Sequence, residues 1–131
     1  MAKYVYPAVF VPEEEGGYSI YFPDLDNCFT QAETLEDGIK MANDALCLTL
    51  YDMEENNQSI PKASSIRDIK TNGDEFTTLI SCDTIEYRKF FNSKAVKKTL
   101  TIPAWLNSMA EREEINFSAV LQKALRSELN L

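Results

Sequence analysis

Val96-Lys97-Lys98-Thr99-Leu100-Thr101-Ile102, closed by Pro103, is the stretch that decides how this chain is organised. A β-strand sends alternate side chains to opposite faces. Leu100 and Ile102 share one parity and are expected to face a core, which leaves Lys97, Thr99 and Thr101 together on the other side. Basic and hydroxyl side chains on a two-stranded ribbon can read base edges in a DNA major groove. One strand does not make a ribbon, so the stretch predicts a second copy of the chain as well as duplex DNA.

Two short helices are expected after it. Proline suits the first helical position, because its φ is preset and the N–H it lacks would be unpaired there. Pro103 is therefore expected to open a helix whose inward face carries Leu106, Met109 and Ala110, and whose polar end is Glu111-Arg112-Glu113-Glu114. Asn116 is a good N-cap for a second helix, with Phe117, Val120, Leu121, Ala124, Leu125 and Leu129 as its apolar stripe. Fewer than 40 residues cannot bury this much apolar surface alone; antiparallel strand pairing across a two-fold axis, with helices interleaved, would. Helix N-termini also attract phosphate through free N–H groups and the helix dipole. Asn116, Phe117 and Ser118 are the expected phosphate contacts.

Lys97-Lys98-Thr99-Leu100-Thr101-Ile102-Pro103 together with Asn116-Phe117-Ser118 resembles the ribbon–helix–helix repressor family, over residues ~95–130. In that family the outward strand residues enter the major groove, and the matching positions here are Lys97, Thr99 and Thr101. The strand lacks arginine and the tail is only weakly basic, so phosphate contacts would give a weak, salt-sensitive affinity.

Upstream, residues 3–11 alternate and are rich in β-formers (Tyr4, Val5, Tyr6, Val9, Phe10, Val11); Pro7 fits such a strand only at an edge or bulge. The turn Glu13-Glu14-Glu15-Gly16-Gly17 leads to a second strand at 18–22, and Pro23-Asp24-Leu25-Asp26-Asn27 separates it from a third at 28–32. A helix follows from Thr34, with Thr34 and Asp37 as a capping box and Leu35, Ile39, Ala42, Leu46, Leu50 and Met53 as its apolar face. Gly38 costs that helix about 1 kcal/mol relative to alanine, which points to tight packing. A loop with a short helical turn at 65–69, a fourth strand at 75–83 and a short helix at 84–91 complete this part. The expected fold class is α+β: a β-β-β-α-β domain over 1–92, mostly antiparallel with a helix on one face, then a dimerising β-α-α module over 93–131.

Charge follows the same division. Residues 1–93 hold 7 Lys+Arg and 17 Asp+Glu, a net −10; residues 94–131 hold 6 and 4, a net +2. An acidic body and a slightly basic tail suggest two partners of opposite charge. There is no run of ~18 apolar residues. The start, Met1-Ala2-Lys3-Tyr4-Val5-Tyr6, has no apolar signal region, so the expectation is a cytoplasmic protein without membrane association. Cys28, Cys47 and Cys82 are widely spaced and the chain has no histidine; they read as free, mostly buried thiols, with no metal site and no cofactor.

The segment Gly16-Gly17-Tyr18-Ser19-Ile20-Tyr21-Phe22-Pro23-Asp24-Leu25, with residues 28–38 from Cys28-Phe29-Thr30 to Asp37-Gly38, resembles the HicB-type antitoxin family. Asp26-Asn27 departs from it, because the family commonly has proline and glycine after Asp-Leu. The resemblance spans the chain. It implies a partial, degenerate RNase H-like sheet, a C-terminal DNA-binding module that represses the protein's own operon, and a partner: a small basic HicA-type toxin, an mRNA-cleaving RNase. Glu13, Glu14, Glu15, Asp24 and Asp26 are the candidate toxin contacts on exposed turns. RNase H chemistry needs carboxylates converging on two metal ions. Asp24 and Asp26 flank one turn, Asp83 is remote in sequence, and residues 3–11 and 18–22 have no carboxylate, so no catalytic residue is expected. Two other readings stay open: a ligand-sensing regulator of the same fold without a toxin, and a residual metal-dependent nuclease. Pairing of dimers into larger assemblies is also open.

Overall fold

A computed structural model describes residues 2–131. Its elements run β1 (Lys3–Pro12), β2 (Tyr18–Tyr21), β3 (Phe29–Ala32), α1 (Leu35–Glu55), a 3-10 turn (Ile66–Asp68), β4 (Phe76–Asp83), α2 (Thr84–Phe91), α3 (Ala104–Arg112) and α4 (Phe117–Glu128). They fall into two compact units, one ending at Lys94 and the other spanning Ala95–Leu131.

In the first unit, four strands form one antiparallel sheet in the order β3-β2-β1-β4. Tyr6, Ala8 and Phe10 on β1, Ile20 on β2, and Ile80 and Cys82 on β4 share the face that α1 covers with Ala42, Leu46, Cys47 and Leu50. Pro7 lies within an inner strand. Yet β2 pairs only with Val9–Pro12, so beside Pro7 the strand has β4 on one side and no strand on the other. Its missing N–H is tolerable at such a local edge.

The turns follow from their residues. Gly17 has φ +83, and a Cβ there would lie 2.7 Å from the Ala32 carbonyl oxygen, which restricts the position to glycine. Asn27 has φ 58, a left-handed conformation that asparagine tolerates better than most residues. The turn thus closes without the glycine that the resemblance would place nearby. Thr34 caps α1 by accepting the Asp37 N–H at 3.1 Å.

Two expectations about α1 need correction. Leu35 and Ile39 are 44% and 43% exposed, while Gly38 and Cys47 are buried. The spacing of apolar residues fixes which helix face is apolar, but not which residue of each turn meets the sheet; in the first turns it is Gly38, between Leu35 and Ile39. Gly38 is where the helix backbone approaches closest: a Cβ would meet Phe10 Cε2 at 2.9 Å and Ile20 Cδ1 at 3.3 Å.

One carboxylate ties α1, β1 and α2 together. The Glu54 side chain is 6% exposed. It accepts from Tyr4 Oη at 2.8 Å and from Arg88 Nη2 at 3.0 Å, with Thr84 Oγ1 at 3.1 Å. Thr84 is fully buried and also bonds the Ala2 backbone through its own N–H and hydroxyl. Arg88 pairs with Glu55 as well and lies 4.7 Å over the Tyr51 ring. Burial pushes the Glu54 carboxyl up, but its hydrogen bonds, among them those from Tyr4, Arg88 and Thr84, outweigh that and hold its pKa below the usual value.

In the second unit, residues 96–102 carry no strand hydrogen bonds. A strand exists by pairing, and within one chain this unit offers no other strand to pair with; the expected strand is one that pairs with a second copy. Pro103 is the N-cap of α3 (φ −57, ψ 141) instead of its first helical residue. Leu100 and Ile102, expected to face a core, are 59% and 43% exposed. No residue of this unit is buried. Leu106, Met109, Phe117, Val120, Leu125 and Leu129 are all exposed, on the helix faces expected to turn inward.

Two predictions follow from this packing. Gly38→Ala should lower stability by about 1 kcal/mol or more despite alanine's better helix propensity, because overpacking a fixed core commonly costs about 1–3 kcal/mol; chemical denaturation measures it, and a stabilised variant would contradict the close approach. The depressed Glu54 pKa means its contribution is complete above the ordinary carboxylate pKa and is lost as pH falls through the folded value. Thermal midpoints against pH should therefore show a flatter acid limb in Glu54→Gln, with lower stability near neutrality; superimposable profiles would refute the clamp.

Candidate functional site

The sequence-derived site residues lie in both units. In the second, Lys97, Thr99 and Thr101 are all exposed in the segment preceding α3. Asn116 caps α4, its Oδ1 accepting the Ala119 N–H at 3.0 Å, as expected from its residue type. Phe117 is 44% exposed and Ser118 Oγ accepts from Gln122 Nε2 at 3.3 Å. The first N–H groups of a helix lack intrahelical partners, so the start of α4 is suited to an anion. Asn116 and Ser118 share a shallow groove with Gln122, Lys123 and Arg126. Lys123 and Arg126 went unnoticed in the sequence; their spacing from Asn116 and Ala119, two turns along the helix, was the available signal.

In the first unit the five candidate carboxylates separate. Glu13, Glu14 and Glu15 stand exposed on the β1–β2 turn, where Glu13 accepts from the Ser19 hydroxyl. Asp24 and Asp26 line a cleft of about 870 Å³, together with Asp52 of α1 and the exposed side chain of Leu48. Asp24 is partly engaged, accepting from the Ser64 N–H at 2.9 Å and from its hydroxyl. Asp52 and Leu48 were missed because helical spacing assigns them to a solvent face, and only the fold brings them beside the 24–27 turn. Asp83, the third carboxylate weighed for metal chemistry, caps α2 by accepting the Ile85 and Glu86 N–H groups at 3.0 and 3.3 Å. Among the described residues no three His, Cys, Asp or Glu side chains gather as a metal-binding group. Among the described residues no helix is long and apolar enough to cross a membrane.

Comparison with known proteins adds to this geometry. The profile of a family described as the HicB_like antitoxin of bacterial toxin–antitoxin systems matches residues 6–125. Antitoxin HicB 1 of Photorhabdus laumondii is 43% identical over 56 residues, covering 43% of this chain and 36% of that protein. Antitoxin HicB of Escherichia coli K12 is 40% identical over 62 residues, covering 47% and 44%. The matches thus span less than half the length of these curated relatives. Among solved structures, a chain of a toxin–antitoxin complex from Streptococcus pneumoniae superposes with a TM-score of 0.60 at 26% identity, covering 96% of this chain and 99% of that one. The mixed α+β architecture and a family match over nearly the whole chain agree: the chain belongs to the HicB-like antitoxin family of bacterial toxin–antitoxin systems.

Proposed function

We propose that this protein is an antitoxin and the repressor of its own operon, with the two tasks divided between two domains. Residues 1–92, a partial RNase H-like domain, bind and mask a small basic HicA-type mRNA-cleaving toxin. Residues 93–131, a ribbon–helix–helix module, pair with a second copy and bind operator DNA in the cytoplasm. On this reading the protein supplies binding surfaces and no catalysis.

The observation that carries the proposal is the state of the second unit: it has no buried residue, and its large apolar side chains stand exposed along both helices. A second copy would cover those faces and pair residues 96–102 with their twin, which returns Lys97, Thr99 and Thr101 to one outward face. Asn116, Phe117 and Ser118 would then hold backbone phosphates at the start of α4. For the first unit, the net −10 of residues 1–93 suits a basic partner and would speed its encounter. The cleft at Asp24, Asp26 and Asp52, beside Leu48, offers that partner carboxylates and an apolar contact in one place. Glu13, Glu14 and Glu15 form a separate acidic turn that would widen the same field.

The test separates the two tasks. Lys97→Ala with Thr99→Ala should weaken operator binding, since a lost base contact typically costs about 1–3 kcal/mol, while rescue of cells from the coexpressed toxin persists. Gel-shift titration and a growth assay read the two outcomes. Equal loss of rescue in a folded double variant would overturn the division of labour.

A further inference from the structure

Two of the three cysteines, Cys47 of α1 and Cys82 of β4, belong to the same buried core of the first unit. Asn43 of α1 donates through Nδ2 to the Ser81 carbonyl of β4 at 2.5 Å, which fixes the helix against that strand. Cys47 lies one helical turn beyond Asn43, and Cys82 is the residue after Ser81. The register Tyr4↔Cys82 and Tyr6↔Ile80 puts Cys82 on the sheet face that α1 covers. Both cysteines are in the core, 6% and 3% exposed. The neighbouring Cys82 thiol lowers the Cys47 pKa, and the Cys82 pKa is raised. Cys28 differs: its thiol donates to the Ala45 carbonyl at 3.6 Å, and burial raises its pKa.

We propose that Cys47 and Cys82 form an oxidisable dithiol, which closes to a disulfide between α1 and β4 when the folded protein meets hydrogen peroxide. The Cys47 thiol gives up its proton and the sulfur, as thiolate, attacks one oxygen of the peroxide; the O–O bond breaks, that oxygen stays as the sulfenic acid, and the other leaves as hydroxide, which takes up the thiol's proton to become water. The Cys82 sulfur then attacks the Cys47 sulfur, the S–O bond breaks, the S–S bond forms and a second water leaves. Two thiols lose two electrons and two protons, and one hydrogen peroxide takes them up as two waters. The cross-link joins residues 47 and 82 and restricts the unfolded chain, so oxidation stabilises the first unit. This inference does not depend on the proposed antitoxin role.

The full chain is treated with hydrogen peroxide, then unfolded, alkylated and mapped by mass spectrometry. The expected result is a mass lower by two hydrogens before alkylation, a linked peptide pair containing Cys47 and Cys82, and alkylation at Cys28 alone. The thermal midpoint should rise on oxidation and return on reduction. In Cys82→Ala, Cys47 should accumulate as a sulfenic acid that dimedone traps; the map of the wild-type chain decides the matter even if that variant does not fold. Alkylation of all three cysteines, a linkage through Cys28, or a disulfide between two chains would overturn the proposal.

Discussion

Residues 95–131 have twelve large apolar side chains that are each at least 42% exposed, and no buried residue. Full burial of such a side chain contributes about 1.5–3 kcal/mol, so a unit that leaves all of them in water forgoes most of what normally holds a fold together. Its helices have the local signals they need, from the Asn116 cap to the apolar stripe of α4. What they lack is a surface to pack on. The proposed second copy meets that shortage, and the proposed DNA-reading strand depends on it, because residues 96–102 have no pairing partner within their own unit.

The first unit meets the same demand within itself. Its sheet presents Tyr6, Ala8, Phe10, Ile20, Ile80 and Cys82 to one helix, and Gly38 lets that helix come close enough to cover them. Where the last turn of α1 meets β1 and α2, Glu54 gathers Tyr4, Thr84 and Arg88. A buried carboxylate is costly unless hydrogen-bonded, and here the bonds hold it in its charged form. The acidic surface is thus separate from the acidic group that organises the core. Asp24, Asp26 and Asp52 border an open cleft, whereas Glu54 is enclosed.

Local signals made much of this legible. Alternation located the strands of the first unit, Thr34 and Asn116 marked helix starts, and the glycine at position 38 pointed to close packing. The chain's other properties are relations between distant residues. Glu54 and Arg88 are 34 positions apart, and nothing in either neighbourhood announces the pairing. Asp52 joins Asp24 and Asp26 only because α1 returns beside the 24–27 turn. Leu35 and Ile39 have the right helical phase, yet in the first turns of α1 it is Gly38 between them that meets the sheet. Residues 96–102 show the limit most clearly: their pattern is that of a strand, but hydrogen-bonded strand structure requires a second strand that this unit does not contain.

The central claim is that a second copy completes the C-terminal unit. Sedimentation equilibrium of the full chain, with helicity followed over the same concentration range, tests it most directly. The expected result is a species of twice the 14.9 kDa chain mass and a loss of helical signal as dilution separates the copies. A monomer at every concentration, with its helical signal unchanged, would contradict it.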